Sequence, residues 1–95
     1  MKKFVLLHYG FEKPTSEVMA AWGKWFEATK PQTVDMGGFG DGREISRSGT
    51  KDLPLNPDSI TGFTIVNAAS LDDAEKLAHG NPFISSIRVY EVRLQ

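Results

Sequence analysis

The sequence predicts an α+β fold: an antiparallel sheet with two helices on one face, in the ferredoxin-like order β-α-β-β-α-β. Three observations predict it. Two segments of helical apolar period alternate with strand-like segments, so the chain reads as two successive β-α-β units with right-handed crossovers. Lys3-Phe4-Val5-Leu6-Leu7-His8-Tyr9 is apolar on both faces, Phe4 and Leu6 to one side and Val5 and Leu7 to the other. A strand like that needs cover on both sides of its sheet. A chain of 95 residues has length for one domain, residues 1–95, with helices on one face only. The other face calls for a second copy, so a homodimer is expected.

Each element has its own local reason. Residues 3–9 form the first strand, and Gly10 ends it. Thr15 or Ser16 supplies an N-cap, and Glu17 suits the positive end of the helix that follows. Val18, Trp22 and Trp25 stand at i, i+4 and i+7, flanked by Met19, Ala21 and Phe26, which makes a wide buried stripe. Lys30-Pro31 stops that helix. Thr33 to Gly38 reads as a second strand, with Val34 and Met36 on one side and Thr33 and Asp35 on the other. A turn-rich run, Gly37-Gly38-Phe39-Gly40-Asp41-Gly42, leads to Arg43–Arg47, a short strand paired back on the previous one.

Residues 48–60 carry Gly49, Pro54 and Pro57 among polar residues and read as a surface loop. It acts as a lid at the rim near the Asp35–Gly42 turn, with Leu53 and Leu55 docking on the sheet edge or the other subunit, or as a passive connector. Gly62-Phe63-Thr64-Ile65-Val66 is a β-branched and aromatic strand. Ser70-Leu71-Asp72-Asp73 is a capping-box variant opening the second helix, whose buried stripe is Leu71, Ala74, Leu77 and Ala78. Gly80 serves as a left-handed stop, with Pro82 beyond. Ile87 to Leu94 is the last strand.

The composition narrows the function. The formal net charge is −1 and the cations are scattered, so no nucleic-acid footprint is present. With no cysteine, disulfides, thiolate catalysis and Cys-ligated metals are excluded. The apolar run before His8 is too short for a signal peptide, and no stretch approaches the roughly 18 apolar residues of a membrane span. A cytoplasmic protein that contacts neither membrane nor nucleic acid is expected. The Gly-rich run matches neither G-x-G-x-x-G nor a P-loop. The chain has no H-E-x-x-H or G-x-S-x-G pattern, and its two histidines are far apart in sequence. No metal and no cofactor is expected.

Some residues remain that bear chemistry. His8 shares a face with Phe4 and Leu6, and a neutral imidazole can act as acid or base near pH 7. Asp35 sits mid-strand against local propensity, either as a base or as a cap for the following glycine turn. Strands one and two are not neighbours in this fold, so His8 and Asp35 are expected on the order of 10 Å apart. His79 ends the second helix as an assisting acid–base group or as a cation on the helix dipole. Trp22, Trp25 and Phe39 are candidates to line an apolar cavity, and Arg43 and Arg88 to hold an acid group. Two functions fit. One is a small enzyme performing metal-free proton-transfer or lyase-type chemistry on a small organic acid, with Asp35 as base. The other is a non-catalytic ligand-binding or interaction module.

Several blocks, in order, add a resemblance. Phe4–Gly10, Met19–Trp22, Asp35–Glu44 with its Gly38-Phe39-Gly40-Asp41-Gly42 core, Gly62–Val66 and Glu91–Leu94 resemble the YCII-related family and its DGPF-motif relatives. The resemblance implies a ferredoxin-like protomer that pairs into a dimeric α/β barrel. Relatives on that fold include dehydrochlorinase-like and muconolactone-isomerase-like enzymes. The chain departs from the pattern at three places. Ala20–Trp22 stand where the type subgroup has a first-helix His, Asn81-Pro82 replaces an Asp-Pro step, and Gly38 precedes Phe39 where the motif has Pro. That subgroup's His/Asp pair is therefore not carried by this chain.

Overall fold

The computed structural model describes residues 1–93. Leu94, assigned by pattern to the last strand, lies outside the described residues. In chain order the elements are β1 (Lys2–Tyr9), α1 (Ser16–Thr29), β2 (Thr33–Gly38), β3 (Gly42–Ser46), β4 (Gly49–Leu53), β5 (Ile60–Ala68), α2 (Leu71–His79) and β6 (Ser86–Val92). β2, β5, β1 and β6 form one sheet in that order, antiparallel throughout, and β3 and β4 form a separate two-stranded sheet. This is the ferredoxin-like plan with a hairpin inserted between β2 and β5.

The two faces of β1 sort the molecule. Phe4, Leu6 and His8 pair with Val66, Thr64 and Gly62 on β5 and face the helices. Val5, Leu7 and Tyr9 face the open side and are half-buried. Phe4, Leu6, Val66 and Ala68 from the sheet meet Trp25, Ala74 and Ala78 from the helices to form the core. Both helices start on a side-chain cap. Thr15 Oγ1 accepts from Val18 N at 3.2 Å, and Ser70 Oγ from Asp73 N at 3.2 Å. No helix among the described residues is long and apolar enough to cross a membrane.

Four expectations need correction. Residues 48–60 are not a plain loop, because Gly49–Leu53 is a strand paired with β3, Arg43 opposite Asp52 and Ile45 opposite Thr50. β3 therefore pairs forward with β4 rather than back on β2. A bulge between Thr33 and Asp35 shifts the β2 register, so Thr33 and Met36 both sit opposite helix-facing residues, Val66 and Thr64. Thr33 thus shares a side with Met36 and not with Asp35. Gly80 has φ −78° and ψ −9°, an ordinary right-handed conformation. Gly80 still caps the second helix after His79, with Pro82 beyond, and a Cβ at Gly80 would meet Trp25 at an ordinary contact distance of 3.5 Å.

Candidate functional site

The site is a gap between α1 and the helix-facing side of the sheet. Trp22, Trp25 and Phe26 are large, and they hold the α1 backbone farther from the strands than that of α2. Toward the C-terminal end of α1 the sheet offers Phe4, Leu6 and Val66, and Trp25 closes the space, its Nε1–H donating to Leu77 O at 2.8 Å. Toward the N-terminal end the helix-facing strand positions shrink to His8, Gly10, Gly38 and Gly62. No large side chain fills that end, and a cavity of about 590 Å³ opens. Its wall includes Val18, Trp22, Phe26, Met36, His8 and Thr64, with Glu12 and Lys13 exposed at the edge in the β1–α1 loop. Gly62 keeps two strands close, since a Cβ there would stand 2.8 Å from Gly37 O.

His8 and Thr64 make the polar part of this wall. His8 is 6% exposed, and its Nε2 lies 2.9 Å from Thr64 Oγ1. Trp22 and Trp25 meet the imidazole edge-on, with ring centroids at 5.1 and 6.0 Å. Nδ1 is closed to solvent and has no hydrogen-bond partner among the described residues. Burial pulls the His8 pKa down from 6.5 to about 4, so the ring is neutral at pH 7. Either tautomer fits, because the Thr64 hydroxyl can donate or accept. A buried nitrogen without a partner costs on the order of 1–3 kcal/mol, an expense more often tolerated at functional sites than in a plain core.

The structure separates most of the other residues singled out in the sequence. Asp35 is exposed and sits opposite Ile65 on the open side of the sheet, with β5 and the sheet itself between it and His8. Its Oδ1 accepts from the neighbouring Met36 N at 2.9 Å. Asp35 and His8 therefore cannot bracket one ligand. His79 is 72% exposed on α2, with its Nε2 3.1 Å from Glu75 Oε2. Trp25 belongs to the core. Phe39 stacks on Phe63 at 5.5 Å and does not itself line the cavity. Arg43 pairs with Asp52 at 3.3 Å on the exposed hairpin, and Arg88 lies 4.8 Å over the Tyr9 ring on the open side.

Of the eight residues, only His8 and Trp22 meet at the cavity. Thr64, Met36 and Gly62 were missed. One signal could have found Thr64: it is a polar residue on the same strand face as Val66, two positions from a glycine. Among the described residues no three His, Asp or Glu side chains cluster closely enough to hold a metal ion.

The fold has a solved counterpart. The 5-chloro-2-hydroxyhydroquinone dehydrochlorinase of Burkholderia phenoliruptrix AC1100, solved in complex with 2,5-dihydroxybenzoquinone, is similar over 96% of this chain and 93% of its own. The TM-score is 0.61 and the sequence identity 18%. No family model and no curated protein sequence matches the chain. At that identity the likeness is one of fold, and it agrees with the strand order and helix placement: the chain is an α+β protein of ferredoxin-like architecture.

Proposed function

We propose that this chain is a small enzyme of the YCII/DGPF-like kind that performs metal-free proton-transfer or lyase-type chemistry on a small organic molecule bearing an acidic hydroxyl or acid group. The substrate lies between α1 and the sheet, and His8 moves the proton. One observation carries this reading. A buried, neutral imidazole with one unpartnered nitrogen stands in the wall of an otherwise largely apolar cavity. A volume of about 590 Å³ is in the range of small-molecule sites. The counterpart's bound dihydroxybenzoquinone supports a single hydroxylated ring as the ligand class.

The chemistry follows from the environment of His8. A ring held at a pKa of about 4 is a weak base, so it suits an acidic substrate proton. A substrate anion beside it raises its pKa by Coulomb attraction. The proton passes from substrate to Nε2, directly or through Thr64 Oγ1. In an elimination the pair left by the proton, on carbon or on the hydroxyl oxygen, becomes the new π bond, any conjugated double bond shifts toward the leaving group, and that group departs with its bonding pair. The imidazolium then releases its proton. Trp22, Val18 and Phe26 exclude water and position the ring.

A binding module without catalysis is the second reading. It is favoured by the lining itself, where the ionisable side chains besides His8 are Glu12 and Lys13 at the exposed edge. Two measurements separate the readings: calorimetric binding of 2,5-dihydroxybenzoquinone, and chloride release from 5-chloro-2-hydroxyhydroquinone. The enzyme reading expects both, with chloride release slowed about 100-fold or more in His8→Gln and unchanged in Asp35→Asn. Binding without chloride release would leave the module reading standing. Absence of binding would reject the cavity as the site for this ligand class.

We also propose a homodimer that buries the open side of the sheet as a dimeric α/β barrel. Val5, Leu7, Phe63 and Ile65 are half-buried there, with Tyr90 exposed beside them. A half-apolar sheet face of this kind is what a second sheet covers.

A further inference from the structure

The β3–β4 hairpin has no cover of its own. Every residue of both strands is exposed, and among the described residues each strand pairs only with the other. Ile45 is 83% exposed. A lone two-stranded ribbon is marginal in water, and the exposed Arg43–Asp52 pair adds little to it. The hairpin stands beside the open side of the main sheet. Tyr9, Phe39 and Ile60 on one wall and Arg43, Lys51 and Leu53 on the other enclose a groove of about 580 Å³.

The shape of the chain shows how much surface is left over. The Cα radius of gyration is 14.4 Å, against about 12.4 Å for a compact domain of this length. The extents, 40 × 40 × 18 Å, describe a slab. The accessible surface is 7008 Å², whereas a folded monomer of this mass exposes about 5,400 Å². The surplus is roughly 1,600 Å² per chain. Two surpluses together make about 3,200 Å², which falls in the range that obligate homodimers bury. The groove wall carries both signs of charge, Arg43 and Lys51 with Asp52 and Asp58. Such a mixture is compatible with a two-fold interface, in which each copy meets the same surface on the other.

We infer that the hairpin is a clasp that grips a second copy of this chain, extending the dimer contact beyond the open side of the sheet. The inference rests on the homodimer reading and adds the element that makes the dimer tight. In a two-fold arrangement each copy's clasp reaches the other, and both grooves are filled.

Sedimentation equilibrium at micromolar concentration tests it with three proteins: the wild type, Ile45→Asp, and a variant whose Arg43–Asp52 segment is replaced by a short Gly-Ser link. Ile45 is so exposed that its replacement leaves the protomer fold alone. The clasp predicts a wild-type dimer, at least tenfold weaker association in Ile45→Asp, and a monomeric linked variant that still binds 2,5-dihydroxybenzoquinone if the wild type does. Wild-type association in both variants would overturn the clasp while leaving the dimer intact. A monomeric wild type would overturn both. If the linked variant does not fold, Ile45→Asp decides alone.

Discussion

Lowering the pH from 6.5 to about 4 is expected to remove about 3 kcal/mol of folding stability through His8 alone. The folded protein holds the ring neutral because burial disfavours the charged form. The unfolded chain takes up the proton at the ordinary value of 6.5. Between the two values the unfolded state binds more protons, so stability rises with pH in that window. The contribution is fully present above 6.5, declines as pH falls toward about 4, and levels off below. Urea midpoints measured across this window at constant m-value give the slope. His8→Gln should lose this component, while replacement of the exposed His79 should leave it. An unchanged slope in His8→Gln would place the acid sensitivity elsewhere.

The two tryptophans of α1 should behave differently when truncated. Trp25→Ala removes a side chain that is 4% exposed and strands the Leu77 carbonyl that its indole N–H reaches at 2.8 Å. A loss of about 3–5 kcal/mol is expected, a large share of the roughly 5–15 kcal/mol that holds a typical domain folded. Trp22 is half-buried and borders the cavity, so Trp22→Ala should lose less stability. Its effect should fall on the ligand, as weaker binding of 2,5-dihydroxybenzoquinone. Thermal unfolding and calorimetry on both variants check the split. Equal stability losses with equal binding would deny that Trp25 is core and Trp22 is site.

The sequence shows both tryptophans on one apolar stripe, and periodicity alone cannot say which end of the stripe meets a filled sheet. That depends on Phe4, Leu6 and Val66 lying under one end and Gly10, Gly38 and Gly62 under the other, which is a matter of register across strands. β1, β5 and both helices were legible because each has one buried face and a cap or breaker at its end. The β4 strand was not, because Gly49-Thr50-Lys51-Asp52-Leu53 buries neither face and so carries no alternation. The available clue was Gly49, whose φ of +128° suits a tight turn only glycine adopts easily.

Asp35 misled for a local reason. Its break with strand propensity belongs to the β2 bulge and to its bond with Met36 N, not to a shared site. Arg43 and Arg88 misled because a cation on a strand gives no sign of which side of the sheet it serves. His8 stands out because a polar residue on the buried face of β1 needs a reason that packing does not supply, and the structure places it in the cavity wall.

A ligand that enters the α1–sheet cavity and acts on His8 must perturb the imidazole itself. Nitrogen-detected NMR of the His8 ring during titration with 2,5-dihydroxybenzoquinone tests this most directly. Ring-nitrogen shifts at His8 are expected to saturate together with shifts of the Trp22 indole, on the same binding curve. Saturable binding that leaves the His8 ring nitrogens unmoved would contradict it.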